Sequence, residues 1–173
     1  SQYMEAKHCL AFPFARTAIY YTLKSKSFPE GSEIIMPPIS IKGILDVIIS
    51  LKLKPVFVDI DHDTLCFNLN ELRKSITTNT KAILITYLYG IVPDMEELIN
   101  ICLNNKLFIV EDFSHNLNAT FKGKKLGTFG NVGVYSSSSL KTFDTFGGGL
   151  LITNDLKLFK VLQNCKMNLK KPP

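Results

Sequence analysis

Residues 81–115, KAILITYLYGIVPDMEELINICLNNKLFIVEDFSH, carry the pattern that decides the fold. Residues 82–85 form an apolar run of strand length, and residues 107–110 form another. Between them, residues 94–104 place Met95, Leu98, Ile99 and Cys102 on one helical stripe. Two apolar strands joined through an amphipathic helix read as a parallel strand–helix–strand unit. Asp94 with Glu97 three residues later resembles a capping box, with Asp in the usual Ser or Thr place.

The same alternation extends in both directions. Further strands are expected over 33–36, 55–58, 132–136 and 150–153. Helices are expected over 17–26, 40–51 and 155–163, the second carrying Ile41, Ile44, Leu45 and Ile48 on one stripe. This predicts an α/β domain with a mostly parallel sheet flanked by helices. No internal repeat, low-complexity linker or domain boundary interrupts it. The phenylalanines Phe12, Phe14, Phe57, Phe108 and Phe121 read as core.

Composition fits a folded domain: 173 residues, 46% of them apolar, with no apolar run long enough for a transmembrane helix. The net charge of +5 is not spread over the chain. Residues 1–155 hold 15 basic and 15 acidic residues, and the excess comes from Lys157, Lys160, Lys166, Lys170 and Lys171. A basic tail reads as a solvated helix face rather than a nucleic-acid groove, so neither a nucleic-acid nor a membrane partner is expected. Cys9, Cys66, Cys102 and Cys165 lack the paired spacing of a zinc site or a disulfide framework, and read as reduced thiols. The opening SQYMEAKHCLAFPF lacks a signal-peptide pattern, so a cytoplasmic location is the expectation.

In parallel sheets, ligands gather beyond the carboxyl ends of the strands. The polar residues there are Ser40, Asp59, Asp61, Tyr87, Tyr89, Glu111, Asp112, His115 and those over 136–141. On position alone, Asp112 reads as a helix cap, an ion-pair partner or a functional acid whose burial demands a cation. His115 reads as a structural histidine or a second group turned to the same place. Lys141, inside YSSSSLKTFDTFGGG, is either an exposed loop side chain or an amine held among hydroxyls and free amides, where it can become a nucleophile. Arg16 and Thr17 open a helix whose amides attract a phosphate, or else Arg16 faces solvent and Thr17 caps. Gly90, Gly123, Gly127 and Gly130 read as turn residues, and His62 as an exposed loop residue.

Six blocks in order now resemble one family. They are ARTAIYYTL, EIIMPPIS, KPVFVDIDHDTLCFNLNELRKSITTNTKAI, YLYGIVPDMEEL, IVEDFSHNLNATFKGKKLGTFGNVGVYS and SLKTFDTFGGGLLITND. Together they are similar to the DegT/DnrJ/EryC1/StrS sugar aminotransferases over residues 14–162. The resemblance implies the aspartate-aminotransferase-like fold, type I among pyridoxal-phosphate enzymes. It also implies that residues 1–173 are the large cofactor-binding domain, the N-terminal half of a family-length enzyme, with the C-terminal small domain missing.

Carried over by position, the resemblance makes Lys141 the catalytic lysine that holds pyridoxal 5'-phosphate as a Schiff base. Asp112 pairs with the pyridine nitrogen, and His115 lies beside the ring. Ser136 binds the cofactor phosphate with Thr17 and the backbone at Arg16, and no metal is implied. The activity implied is transfer of an amino group, usually from glutamate, to a keto group of a nucleotide-linked sugar, in a homodimer. The alternatives are a non-catalytic or incomplete fragment or regulatory homologue, and a pyridoxal-phosphate enzyme acting on another carbonyl substrate. Four positions depart from the family pattern: Arg16 for a small residue, Ile41 for an aromatic, Tyr87 for His and Gly147 for Glu. Lys141 itself argues against the family's dehydratase branch, where His takes that place.

Overall fold

A computed structural model describes residues 2–139 and 141–167. Nine strands and five α-helices follow in the order β1 (His8–Phe12), α1 (Ala15–Ser25), β2 (Glu33–Met36), α2 (Lys42–Ser50), β3 (Lys54–Phe57), α3 (Leu69–Ser75), β4 (Thr80–Thr86), α4 (Met95–Asn104), β5 (Phe108–Asp112), β6 (Thr120–Phe121), β7 (Lys124–Lys125), β8 (Val132–Ser136), β9 (Gly149–Thr153) and α5 (Leu156–Met167). Seven strands make one sheet in the order β1-β9-β8-β5-β4-β2-β3, and β6 and β7 form a separate hairpin. Only β9 runs against its neighbours, pairing antiparallel with both β1 and β8. The others share one direction, so most strands deliver their carboxyl ends to one side of the molecule.

Alternation along the strands divides the core into two layers. Ile83 and Ile85 of β4 and Ile109 of β5 pack with Met95, Leu98, Ile101 and Cys102 of α4 on one face. Ala82 and Leu84, with Phe108 and Val110, pack on the other face with Ala18 and Ile19 of α1, Ile44 and Ile48 of α2, and Leu162 of α5. The helix ends follow their sequence signals. Asp94 caps α4 by accepting from the amides of Glu96 and Glu97, and Asn68 caps α3 in the same way.

Several expectations are corrected. Phe14 and Phe57 are exposed rather than core, and Ile41 stands outside α2, turned away from the buried stripe of Ile44 and Ile48. Strand β1 and helix α3 went unforeseen. Each is short, and β1 is fixed by pairing with β9, which lies some 140 residues away in sequence. Lys157, Lys160 and Lys166 lie on the exposed side of α5. Lys170 and Lys171 fall outside the described residues. All four cysteines are free thiols, and burial pushes the Cys102 thiol up to about 12. No described helix is long and apolar enough to cross a membrane.

Candidate functional site

The carboxyl end of β5 places two acids side by side, and strand alternation turns them to opposite faces. Glu111 points into the α4 layer, where it accepts from Tyr87 Oη (2.6 Å), Gly127 N (2.8 Å) and Gly130 N. It ties the turn before β8 to the sheet and is a structural acid. Asp112 points into the other layer. Its Oδ1 accepts from both the amide and the hydroxyl of Ser114, a short Asx-type turn that fixes the carboxylate.

Asp112 forms one wall of a cleft of about 220 Å³, lined also by Ile39, Ser40, Ile41, Thr86, Tyr89, Ser114, His115 and Lys141. Burial pushes the Asp112 carboxyl up from its usual range, the Ser114 bonds pull it back, and the charges of Lys141 and His115 pull in the same sense. His115 is held below its ordinary value by burial and by Lys141, against the pull of Asp112. Its Nδ1 faces the Tyr89 amide at 3.4 Å, and the two rings lie 5.8 Å apart. Among the described residues, Lys141 Nζ has no carboxylate within ion-pairing distance.

Of the six residues expected from the sequence, Asp112, His115 and Lys141 converge on this cleft, whereas Arg16, Thr17 and Ser136 do not line it. The last three lie on elements that meet beside it. Ser136 is the register partner of Gly149, and a Cβ on Gly149 would strike the backbone of Phe14 and Ala15, so β8, β9 and the first turn of α1 meet there. Phe14 provides no side-chain cap; its carbonyl accepts from the Thr17 and Ala18 amides, so of the first turn of α1 only the amides ahead of Thr17 are left to meet an anion. Ser136 Oγ lies 2.9 Å from Ser138 Oγ, and the Ser136 amide donates to Ser114 Oγ, which in turn donates to Asp112, so the main chain of Ser136 is tied to Asp112 through Ser114. Arg16 is exposed, with its guanidinium 4.3 Å from the centre of the Phe14 ring and its Cδ beside Gly43.

Ser114 and Thr86 were not singled out from the sequence. The spacing of Asp112 and Ser114 carried a signal for the first, since Asp followed two residues later by a hydroxyl residue favours this turn. Thr86 carried none, because threonine at a strand end reads as an ordinary strand former. Tyr87 belongs mainly to the structural network of Glu111 and Met95, although part of it borders the cleft.

A ring with a protonated nitrogen and a phosphate arm fits these groups. The buried carboxylate and the amine lie in one cleft, the open helix end and serine pair adjoin it, and Ser40 Oγ and Thr86 Oγ1 in the cleft are buried with no described partner.

The family model of the DegT/DnrJ/EryC1/StrS aminotransferases matches residues 1–169. GDP-perosamine synthase of Escherichia coli O157:H7 is 33% identical over 142 residues, which are 82% of this chain and 39% of that protein. The Helicobacter pylori PseC structure, an aminotransferase involved in the biosynthesis of pseudoaminic acid, matches with a TM-score of 0.89 and 28% identity over 99% of this chain and 47% of that one. The E. coli GDP-4-keto-6-deoxy-D-mannose-3-dehydratase with bound hydrated pyridoxal phosphate matches with a TM-score of 0.85 and 28% identity, covering 94% of this chain and 43% of that one. This chain therefore spans less than half the length of each of these relatives.

Proposed function

The chain belongs to the DegT/DnrJ/EryC1/StrS aminotransferase family and has the type I fold of its pyridoxal-phosphate enzymes, and from that premise we propose that its cleft binds pyridoxal 5'-phosphate for amino-group transfer. The acceptor is a keto group of a nucleotide-linked sugar and the donor is glutamate. The observation that carries the reading is the convergence of Asp112, His115 and Lys141 on one cleft beside the open end of α1.

When bound, the cofactor supplies a ring that accepts the electron pair left on the substrate carbon. The residues of the chain divide the remaining work. Asp112, pinned by Ser114, keeps a proton on the ring nitrogen. Ser136, Thr17 and the backbone at Arg16 hold the phosphate. Lys141 would anchor the cofactor and, with its amine free, would take up and return the proton of the substrate carbon. His115 would border the ring, its imidazole held below its ordinary value by burial and by Lys141. An amine at position 141 suits reversible proton movement during transfer and favours aminotransferase over dehydratase chemistry.

The site works within a homodimer and in the cytoplasm on this reading, with residues 1–173 forming the cofactor-binding large domain. The exposed apolar groups around the cleft, Ile39, Ile41 and Tyr89, support a partner surface there.

The test is an absorbance spectrum with added pyridoxal phosphate, followed by borohydride reduction and peptide mapping. A visible band and a reduced adduct on Lys141, both absent from Lys141→Ala, are expected. A folded protein with neither sinks the proposal. Keto-sugar turnover with glutamate then separates this activity from action on another carbonyl substrate.

A further inference from the structure

We infer that Ser40 and Thr86 are additional polar contacts to the bound cofactor ring, on the wall of the cleft beside Asp112. This rests on the cofactor reading above. Thr86 closes β4 and Asp112 closes β5 as register partners in a parallel ladder. Alternation along the two strands turns both onto the face that also carries Ala82, Leu84 and Val110. Ser40, in the loop between β2 and α2, lines the same cleft.

Ser40 Oγ and Thr86 Oγ1 are both shielded from solvent, and neither has a hydrogen-bond partner among the described residues. Unpaired buried hydroxyls are costly to a fold and uncommon. Here two of them share one small cleft. On the same face, Asp112 Oδ1 is already engaged by the amide and hydroxyl of Ser114. Because both residues line the cleft, turning either hydroxyl toward a ligand needs rotation about one side-chain bond and no backbone movement. Neither side chain ionises near neutral pH. Their contribution is therefore orientation of the ring against Asp112, which makes them positioning groups and leaves the charge with Asp112.

The experiment is a titration of the full chain with pyridoxal phosphate, followed by absorbance and paired with the melting temperature of the ligand-free protein. Thr86→Val and Ser40→Ala are each expected to raise the Kd about three- to tenfold, the size of one net hydrogen bond. Their ligand-free melting temperatures stay unchanged or rise, because each substitution removes an orphaned polar atom. Thr86→Ser, which keeps the hydroxyl, restores the wild-type Kd. Lower melting temperatures with unchanged Kd assign the hydroxyls to folding and overturn the inference, as does an unchanged Kd with unchanged stability. Failure of the wild-type chain to bind appears before any variant is made, and it removes the cofactor reading together with this inference.

Discussion

At Asp112 the requirements of folding and of the proposed cofactor binding oppose one another. Burial raises its pKa, so the ionised form costs the fold stability. The cost is absent below the ordinary aspartate value of about 3.9, grows as the pH rises through that value, and is complete above the raised folded value. Asp112→Asn is therefore expected to raise the ligand-free melting temperature at pH 7 while weakening pyridoxal phosphate binding at least tenfold, read by thermal melting and absorbance titration. His115 has the opposite dependence. Its lowered pKa means that the unfolded chain takes up a proton first, so stability falls as the pH drops through about 6.5 toward the lower folded value and is flat above. His115→Gln should remove that component from melting curves collected between pH 7.5 and 5, while a curve that keeps its slope would show that another group titrates there. The lining of the cleft was legible in sequence where chemistry and strand-end position coincided, as at Asp112, His115 and Lys141. It was not legible at Thr86, whose place in the cleft comes from register with Asp112, nor at Arg16, whose guanidinium lies over the ring of Phe14 rather than in the cleft.

Among the elements, the junction of α1 and β9 sets the position of the proposed anion site. Gly149 is close enough to Phe14 and Ala15 that a methyl group there would strike main chain, which cannot swing aside as a side chain can. Gly149→Ala is expected to destabilise the protein by about 1–3 kcal/mol, the range for forced overpacking, and to weaken cofactor binding as well because the first turn of α1 shifts. Gly123, at the tip of the β6–β7 hairpin with φ +81 and open space around it, is the control. Gly123→Ala should cost about 1–2 kcal/mol in backbone strain and leave the affinity unchanged. Urea melts and cofactor titrations of the two variants separate strain from displacement of the site. The elements that sequence revealed were those with a sustained period, such as β4, α4 and β8. Strand β1 escaped because His8, Cys9 and Ala11 give no clean alternation, and its place comes from backbone pairing with β9. Helix α3 spans barely two turns, too short for periodicity to establish, and only its Asn68 cap marked it.

For the molecule as a whole, the parallel strands bring the candidate site residues and several exposed apolar side chains to the same end. Phe146 is 97% exposed and Tyr89 81% exposed, with Ile39, Ile41 and Phe143 also open to solvent. Ile39, Ile41 and Tyr89 border one cleft, and exposed apolar residues gathered in this way suit an interaction face. The balanced charge of residues 1–155 puts no strong like-charge barrier between two copies. The proposed homodimer therefore predicts concentration-dependent self-association in sedimentation equilibrium at micromolar protein. Phe146→Ser, which removes the most exposed ring from the loop after Lys141, should shift that equilibrium toward monomer at least several-fold without lowering the melting temperature of the monomer, since the ring contributes almost no buried area within one chain. Equal association of the variant and the wild type would place the contact elsewhere, and a wild type that stays monomeric at tens of micromolar would remove the homodimer from the proposal.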